Sequence, residues 1–266
     1  MADGTPLYAS HALPDSRARA DVVIVPGLKD HCGRYGHVGE ALTRRDYAVH
    51  TFDLRGHGRS GGARYYVEHF SEYASDLEAF VARVTTEGKP VFVLAHSMGA
   101  VVACTASLDD RISPDGMALT GAVLLPGTSV SPLLVRSAAV LGKYFPKAPV
   151  LRLDVGAISR DPEVVRRALN DPLTDHGPSA ARTGYELLNA ARRVLERAEA
   201  LEPHLLILHG GDDRLADPDG SVRLHEATKD RGSKLIVYPG LYHEVMNEPE
   251  RERVMSDVVG WLDERT

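Results

Sequence analysis

The chain predicts an α/β fold, in which helices flank a mostly parallel central sheet. Short apolar runs rich in β-branched residues alternate with amphipathic segments as far as residue 125, and the alternation resumes at residue 203. Residues 126–202 between them show helical periodicity and no convincing strand. We therefore expect a core built from residues 1–125 and 203–266, carrying a helical cap inserted over residues 126–202.

The element assignments follow from hydrophobic periodicity and from Gly, Pro and Asp breakers. Strands are predicted at residues 7–10, 21–25, 47–52, 91–94, 121–125, 204–208 and 234–238. Helices are predicted at residues 34–45, 69–86, 101–106, 133–144, 162–170, 180–201, 219–228 and 249–264. Asp161 and Pro162 supply an N-cap and a first-turn proline for the second helix of the insertion.

Composition narrows the function classes. A net charge of −6 without a basic stripe argues against a nucleic-acid partner. Cys32 and Cys104 lie too far apart to suggest a disulfide framework or a metal site. No apolar run reaches the roughly 18 residues that a membrane span needs, and the N-terminus shows no signal-peptide pattern. We therefore expect a cytoplasmic protein. The composition makes no prediction of its oligomeric state.

Ser97 lies between a predicted strand and an apolar helix, which is the context of a nucleophile elbow. The surrounding residues, Ala95-His96-Ser97-Met98-Gly99, match the G-x-S-x-G signature except at Ala95. Because short matches of this kind are common by chance, the alternative is a serine that only shapes a turn. Other parts of the chain must supply the groups that activate a serine.

A serine hydroxyl is a weak nucleophile and needs a base that is itself oriented by an acid. Asp212 and Asp213 follow the predicted strand 204–208, and His243 follows the strand 234–238. Strand ends of a parallel sheet meet at one edge, so these groups can converge on Ser97. The order Ser, Asp, His along the chain is that of α/β-hydrolase triads, and spacing alone leaves both aspartates open.

An ester hydrolase also needs donors for the oxyanion that forms during attack. The backbone N–H after the nucleophile belongs to Met98, and the loop after an early strand offers the N–H of Leu28. Gly27 before it allows the backbone to approach a substrate closely. Leu28 and Met98 are therefore the candidate oxyanion hole.

These motifs resemble the monoacylglycerol lipase group of serine α/β-hydrolases, especially its bacterial members, from about residue 20 onward. The matching segments are Gly27 with His31 and Gly33-Arg34-Tyr35, Asp53-Leu54-Arg55-Gly56-His57-Gly58-Arg59-Ser60-Gly61, His96-Ser97-Met98-Gly99, Leu208-His209-Gly210 with Asp213-Arg214, and Tyr242-His243-Glu244. The resemblance implies an eight-stranded sheet with a helical cap after the sixth strand. Because the segment before residue 20 is short, we expect the first strand to be missing or frayed. The resemblance also implies hydrolysis of one acyl chain from glycerol. We expect this reaction to need neither a cofactor nor a metal.

The resemblance implies further residue roles. Its register favours Asp213 over Asp212 as the acid of the triad, and it gives Asp30 and Arg34 a part in holding the glycerol end of the substrate. Relatives more often have Glu at the position of Asp30. His57 is expected to be structural.

The chain departs from the family pattern at four positions near the expected site. Pro26 stands where the family usually has His, and Lys29 where it usually has a small residue. Ala95 and Ala100 stand where the elbow usually has Gly. Pro26 and Lys29 lie nearer the substrate, so they bear on its identity more than on the hydrolytic chemistry.

The sequence therefore predicts a serine ester hydrolase whose small-molecule substrate is a lipid ester, monoacylglycerol. The alternatives are a carboxylesterase, a lysophospholipase or a hydrolase of aromatic-acid monoesters on the same scaffold. A non-catalytic binding protein is a further alternative, which the intact triad argues against. The apolar helix at 133–144 is interpreted as the wall of an acyl site, and more weakly as a peripheral membrane contact through the cap.

Overall fold

A seven-stranded sheet runs through the computed structural model, which describes residues 3–85 and 88–266. In spatial order its strands are β1 (Ala9–Ala12), β3 (Tyr47–Phe52), β2 (Ala20–Val25), β4 (Val91–His96), β5 (Gly116–Thr120), β8 (His204–Gly210) and β9 (Lys234–Tyr238). β1 runs antiparallel to β3, and the other neighbours pair in parallel. The predicted mostly parallel sheet is confirmed. Within the described residues the sheet has seven strands, one fewer than the eight that the resemblance implied.

Helices cover both faces of this sheet. They are α1 (Gly36–Thr43), α2 (Ser71–Val84), α3 (Met98–Leu108), α4 (Pro132–Tyr144), α5 (Pro162–Leu169), α6 (Ala181–Glu196), α7 (Pro218–Thr228) and α8 (Arg251–Asp263). The helix predicted at residues 69–86 is observed as α2 and ends at Val84. The last residue of the predicted range, residue 86, lies outside the described residues. Asp161 caps α5 as predicted, since its carboxylate accepts the N–H of Glu163 at 2.9 Å.

The core lies on both sides of the sheet. Every residue of β2 and of β3 is buried, which explains why their sequences are almost continuously apolar. One apolar cluster joins the sheet to α2, α3 and α6, and the other joins it to α1 and α8. This burial fixes the carboxyl ends of the strands at one edge, where parallel α/β sheets place their ligand sites.

The fifth strand lies at Gly116–Thr120, so the predicted strand at 121–125 is wrong. Gly121 has a φ of 53°, a conformation that ends the strand, and the residues after it form a loop at the carboxyl edge. Residues 122–125 are more strongly apolar than residues 116–120, and Leu124 is buried. Its burial comes from loop packing rather than from strand pairing.

Two short strands occur where the sequence predicted none, in residues 126–202. β6 (Pro149–Leu151) pairs antiparallel with β7 (Ser179–Ala180). With three and two residues, neither strand is long enough to show a period-two pattern. Within the described ranges no helix has the length and apolar character that crossing a membrane requires.

Candidate active site

Ser97 occupies a strained turn between β4 and α3. Its φ of 55° and ψ of −119° are rare for a residue with a side chain, and strain of this kind is common at functional sites. Its N–H donates to the carbonyl of Thr120 on β5 at 2.9 Å. A Cβ at Gly99 would lie 2.3 Å from the carbonyl oxygen of Val25, so the turn requires glycine there. Ala95, by contrast, is accommodated in full burial.

The three predicted catalytic side chains form one hydrogen-bonded chain. Nε2 of His243 lies 2.9 Å from Oγ of Ser97. Nδ1 of the same imidazole lies 2.7 Å from Oδ2 of Asp213. Asp213 follows β8 and His243 follows β9, as the argument from strand ends expected. This geometry allows His243 to accept the serine proton while the carboxylate holds the ring.

Asp213 is buried and surrounded by donors, whereas Asp212 is exposed. The N–H groups of Leu215 and Ala216 donate to Oδ1 at 2.8 and 3.0 Å. His209 places Nε2 3.1 Å from Oδ2, the oxygen that His243 also contacts. Burial alone would raise the pKa of Asp213, but the charge of His243 and the hydrogen bonds of both imidazoles hold this pKa well below its ordinary value. The carboxylate is therefore ionised.

His243 and His96 are neighbouring imidazoles whose pKa values are shifted in opposite directions. Burial lowers the pKa of His243, but the Asp213 carboxylate outweighs it and raises the pKa above 6.5. Burial, together with repulsion from His243, lowers the pKa of His96 to about 4. The rings lie 4.8 Å apart between centroids, and Nδ1 of His96 contacts Oγ1 of Thr120 at 3.0 Å. His96 thus packs beside the elbow as a neutral side chain.

The two candidate oxyanion donors lie on segments that adjoin Ser97. A Cβ at Gly27 would lie 3.0 Å from Cβ of Ser97, so this loop touches the nucleophile. Leu28 follows Gly27, and Met98 is the first residue of α3, whose leading N–H groups have no acceptor within the helix. Leu28, Met98 and Ser97 line one cavity. The binding of an oxyanion by these N–H groups stays a prediction.

Asp30 and Arg34 also line this cavity, but their polar atoms are engaged within the protein. The Asp30 carboxylate accepts from the N–H of His31 at 2.8 Å and from the hydroxyl of Tyr35 at 2.6 Å. Arg34 donates to both carboxylate oxygens of Glu244, at 2.7 and 2.6 Å, and to Asp30 at 3.2 Å. Through these contacts Arg34 joins Asp30, in the loop after β2, to Glu244, the residue after His243. A direct contact of the pair with substrate stays a prediction.

The Gly-rich loop after β3 is hydrogen bonded to the segment that follows β2. The carboxylate of Asp53 accepts the N–H groups of Cys32 and Arg59, each at 2.7 Å. Arg55 forms a bidentate pair with the buried Asp76, with both distances at 2.6 Å. His57 is buried and its Nδ1 lies 2.9 Å from the carbonyl oxygen of Arg55, which agrees with its expected structural role.

The cavity beside Ser97 is mainly apolar. Its aliphatic lining from α4 and α6 consists of Leu134, Val135, Ala138, Leu141, Leu187 and Leu188. The polar residues of the lining include Lys29, Thr174 and His176 as well as Ser97 and His243. A chamber of this kind can take a hydrocarbon chain and present its polar end to the nucleophile.

Sequence reasoning missed three residues of the site. His209 stands in the Leu208-His209-Gly210 motif, whose spacing of four residues to Asp213 was a usable signal. Thr120 was missed because the fifth strand was predicted one segment too late. His176 lies in a loop within residues 126–202 and carries no motif that would have singled it out.

Comparisons with known proteins agree with this geometry. The family model described as "Serine aminopeptidase, S33" matches residues 16–250. The chain is 39% identical over 251 residues to the monoacylglycerol lipase of Mycolicibacterium smegmatis, covering 94% of this chain and 90% of the relative. It is 32% identical over 269 residues to the monoglyceride lipase of Rattus norvegicus, covering 99% and 89%.

Among solved structures, the monoacylglycerol lipase of Paleococcus ferrophilus matches with a TM-score of 0.89 at 27% identity, covering 98% of this chain and all of that one. The family model spans most of the chain, and both lipase sequences exceed 30% identity over nearly its whole length. The chain therefore belongs to the monoacylglycerol lipase group of the serine α/β-hydrolases.

Proposed function

We propose that this protein hydrolyses the ester bond of monoacylglycerol to fatty acid and glycerol, with Ser97, His243 and Asp213 as its catalytic triad. One observation carries the proposal: the hydrogen-bonded chain Ser97–His243–Asp213 ends in a cavity with an aliphatic lining. The names of the relatives support the same substrate class.

In the proposed mechanism Oγ of Ser97 attacks the ester carbonyl while Nε2 of His243 takes its proton. The N–H groups of Leu28 and Met98 stabilise the oxyanion. Glycerol leaves with the proton from His243, and the acyl chain stays on Ser97 as an ester. His243 then deprotonates a water molecule that attacks this ester, and Ser97 regains its proton as the fatty acid leaves. Asp213 remains ionised throughout and stabilises the imidazolium.

A lipid ester fits the cavity better than the N-terminus of a peptide, although the family model is described as an aminopeptidase. Recognition of a peptide ammonium group needs a carboxylate that is free to pair with it. The cavity carboxylates Asp30 and Glu244 are both engaged by Arg34. The aliphatic lining can pack against an acyl chain. It offers no hydrogen-bond partners to the polar backbone of a peptide.

A rate profile across substrate classes tests the proposal. We expect kcat/KM to be highest for monoacylglycerols when compared with lysophospholipids, methyl esters of aromatic acids and aminoacyl 4-nitroanilides. An aromatic methyl ester, a lysophospholipid or an aminoacyl anilide that is hydrolysed tenfold faster than every monoacylglycerol would contradict it. Such a result would favour the carboxylesterase, lysophospholipase or peptidase alternatives.

Residues 126–202 are proposed to act as a cap that covers Ser97 and contacts lipid through α4. Leu134, Val135, Ala138 and Leu141 of this helix line the cavity. Leu133, Tyr144 and Phe145 are 75%, 65% and 60% exposed. The sequence of α4 contains Arg136 and Lys143 and no acidic residue, a combination that suits an anionic lipid surface. The proposed location is the cytoplasm, and the two free buried cysteines are compatible with it.

Vesicle flotation tests the lipid contact. We expect the protein to float with vesicles of phosphatidylcholine and phosphatidylglycerol. The double substitution Leu133→Ser with Phe145→Ser should weaken this association while hydrolysis of a water-soluble short-chain ester persists. Failure of the unmodified protein to bind these vesicles would remove the membrane proposal and leave the hydrolase proposal standing.

A further inference from the structure

One residue that lines the cavity beside Ser97 carries a buried polar atom without a protein partner. Nε2 of His176 is shielded from solvent, and no hydrogen-bonding group in residues 3–85 and 88–266 contacts it. His176 lines the same cavity as Ser97 and His243. The charged residues Asp30, Arg34 and Glu244 of this cavity are already paired with one another. A buried polar atom without a partner is unfavourable, and because His176 lines the cavity, a molecule bound there can supply the partner.

The backbone on both sides of His176 is held by Lys29. Nζ of Lys29 donates to the carbonyl oxygen of Asp175 at 3.1 Å and to that of Gly177. The Lys29 side chain is buried, and Nζ lies 5.0 Å from the ring centroid of Tyr65. The Tyr65 hydroxyl in turn accepts the N–H of Asp175 at 2.8 Å. His176 is therefore fixed between two residues whose carbonyls share one ammonium group.

The same loop is joined to the segment next to the nucleophile. Nε2 of His31 lies 2.8 Å from Oδ2 of Asp171, and Oγ1 of Thr174 donates to the carbonyl of Lys29 at 3.3 Å. Lys29 directly follows Leu28, the proposed oxyanion donor. These contacts link His176 to Lys29 and Thr174, which also line the cavity, whereas the side chains that α4 and α6 contribute are mainly apolar.

We propose that Nε2 of His176 hydrogen bonds a hydroxyl group of the alcohol portion of the ester, and that it sets a preference for glycerol esters over esters of simple alkyl alcohols. The inference rests on the proposed hydrolysis of monoacylglycerol. An imidazole nitrogen donates or accepts according to its tautomer, and a hydroxyl can do both, so the two are matched in either state. A hydrocarbon placed there would leave Nε2 without a partner.

Two esters and two variants test this role. The substrates are a monoacylglycerol and the methyl ester of the same fatty acid, which has no hydroxyl group on its alcohol. In His176→Phe we expect kcat/KM to fall roughly fivefold or more for the monoacylglycerol and to stay within about twofold for the methyl ester. His176→Gln is the matched control, because its amide retains hydrogen-bonding capacity and should preserve most of the preference.

The outcomes separate this inference from the proposed function. Equal losses on both esters, or no loss on monoacylglycerol, in a His176→Phe variant that reacts fully with a fluorophosphonate would overturn the role of His176 alone. A wild-type protein that hydrolyses the methyl ester and not monoacylglycerol would overturn the proposed function, and this inference with it. A selective loss in His176→Phe with recovery in His176→Gln supports both.

Discussion

Two histidines contact Asp213, and only His243 also reaches Ser97. His209 is fully buried between Asp213 and Ser221, with Nδ1 2.7 Å from the Ser221 hydroxyl. The contact from His209 and the N–H groups of Leu215 and Ala216 hold the Asp213 carboxylate in one orientation. The same carboxylate then fixes the ring of His243 and stabilises its protonated form. The pKa of His243 is therefore the property through which this cluster acts on the reaction.

The pH dependence of turnover follows from that pKa. His243 can accept the serine proton only when it is neutral, so kcat/KM must fall as pH drops through its pKa. Because Asp213 raises this pKa above 6.5, we expect the acid limb of the kcat/KM profile to have its midpoint above pH 6.5. The pKa of His96, lowered to about 4, should not contribute near neutrality. A single midpoint well below pH 6 would contradict the assignment of His243 as the base.

At the scale of the element, the junction of β4 with α3 depends on close approach to the chain after β2. A Cβ at Gly99 would lie 2.3 Å from the carbonyl oxygen of Val25 and 2.5 Å from that of Pro26. Backbone atoms cannot turn aside as a flexible side chain can. Movement of Pro26 would displace Gly27 and Leu28, and so would disturb the proposed oxyanion site.

A pair of glycine substitutions tests this junction. We expect Gly99→Ala to lower the free energy of unfolding by about 2–3 kcal/mol and to reduce turnover. Gly260→Ala in α8 is the control, since a Cβ there meets nothing within 4 Å and should stabilise the helix by about 0.5–1 kcal/mol. Denaturant unfolding of both variants measures the difference. Equal stability of the two variants would show that the elbow is not tightly packed.

The strands that carry the site could be predicted because they appear as short apolar runs. β4 and β8 are buried along almost their whole length, whereas β9 lies at the edge of the sheet and only Tyr238 at its end is buried. β4, β8 and β9 were found in this way, and Ser97, Asp213 and His243 follow from their ends. β5 was misplaced because apolar character selected residues 121–125, whereas pairing with β4 and β8 selects Gly116–Thr120. The position of Gly121 in the turn depends on tertiary contacts that local sequence does not encode.

The surroundings of the site were harder to predict than the triad. Lys29 and His176 come together through contacts between segments about 145 residues apart, and no local pattern reports such a contact. Lys29 was recognised only as an unusual residue for the family, and its bonds to the carbonyls of Asp175 and Gly177 came from the structure. The engagement of Asp30 by Tyr35 and Arg34 was equally invisible in the sequence.

At the scale of the whole molecule, α6 joins residues 126–202 to the apolar cluster that covers one face of the sheet. Val194 of α6 is fully buried in the same apolar cluster as the sheet residue Val93 and the α3 residue Val101. α4 packs on α6, and both helices line the cavity. We therefore expect residues 126–202 to unfold together with the sheet rather than as a separate unit.

Substitutions on α6 test this coupling. Val194→Ala should lower the free energy of unfolding by about 2 kcal/mol through loss of buried methyl groups. Arg192→Ala on the exposed face of the helix, where Arg192 pairs with Glu196, should change it by less than about 0.5 kcal/mol. Circular dichroism and tryptophan fluorescence from Trp261 should report one common transition. Two separate transitions would mean that residues 126–202 form an independent domain.

The central claim is that Ser97 is the acyl-accepting nucleophile, and covalent labelling tests it most directly. A fluorophosphonate should modify one serine, and mass spectrometry of the digested protein should locate it at Ser97. In Ser97→Ala we expect labelling to disappear and monoacylglycerol turnover to fall by about 10³-fold or more, since the triad acts as a unit. Labelling at another serine, together with undiminished fatty-acid release by Ser97→Ala, would contradict the account.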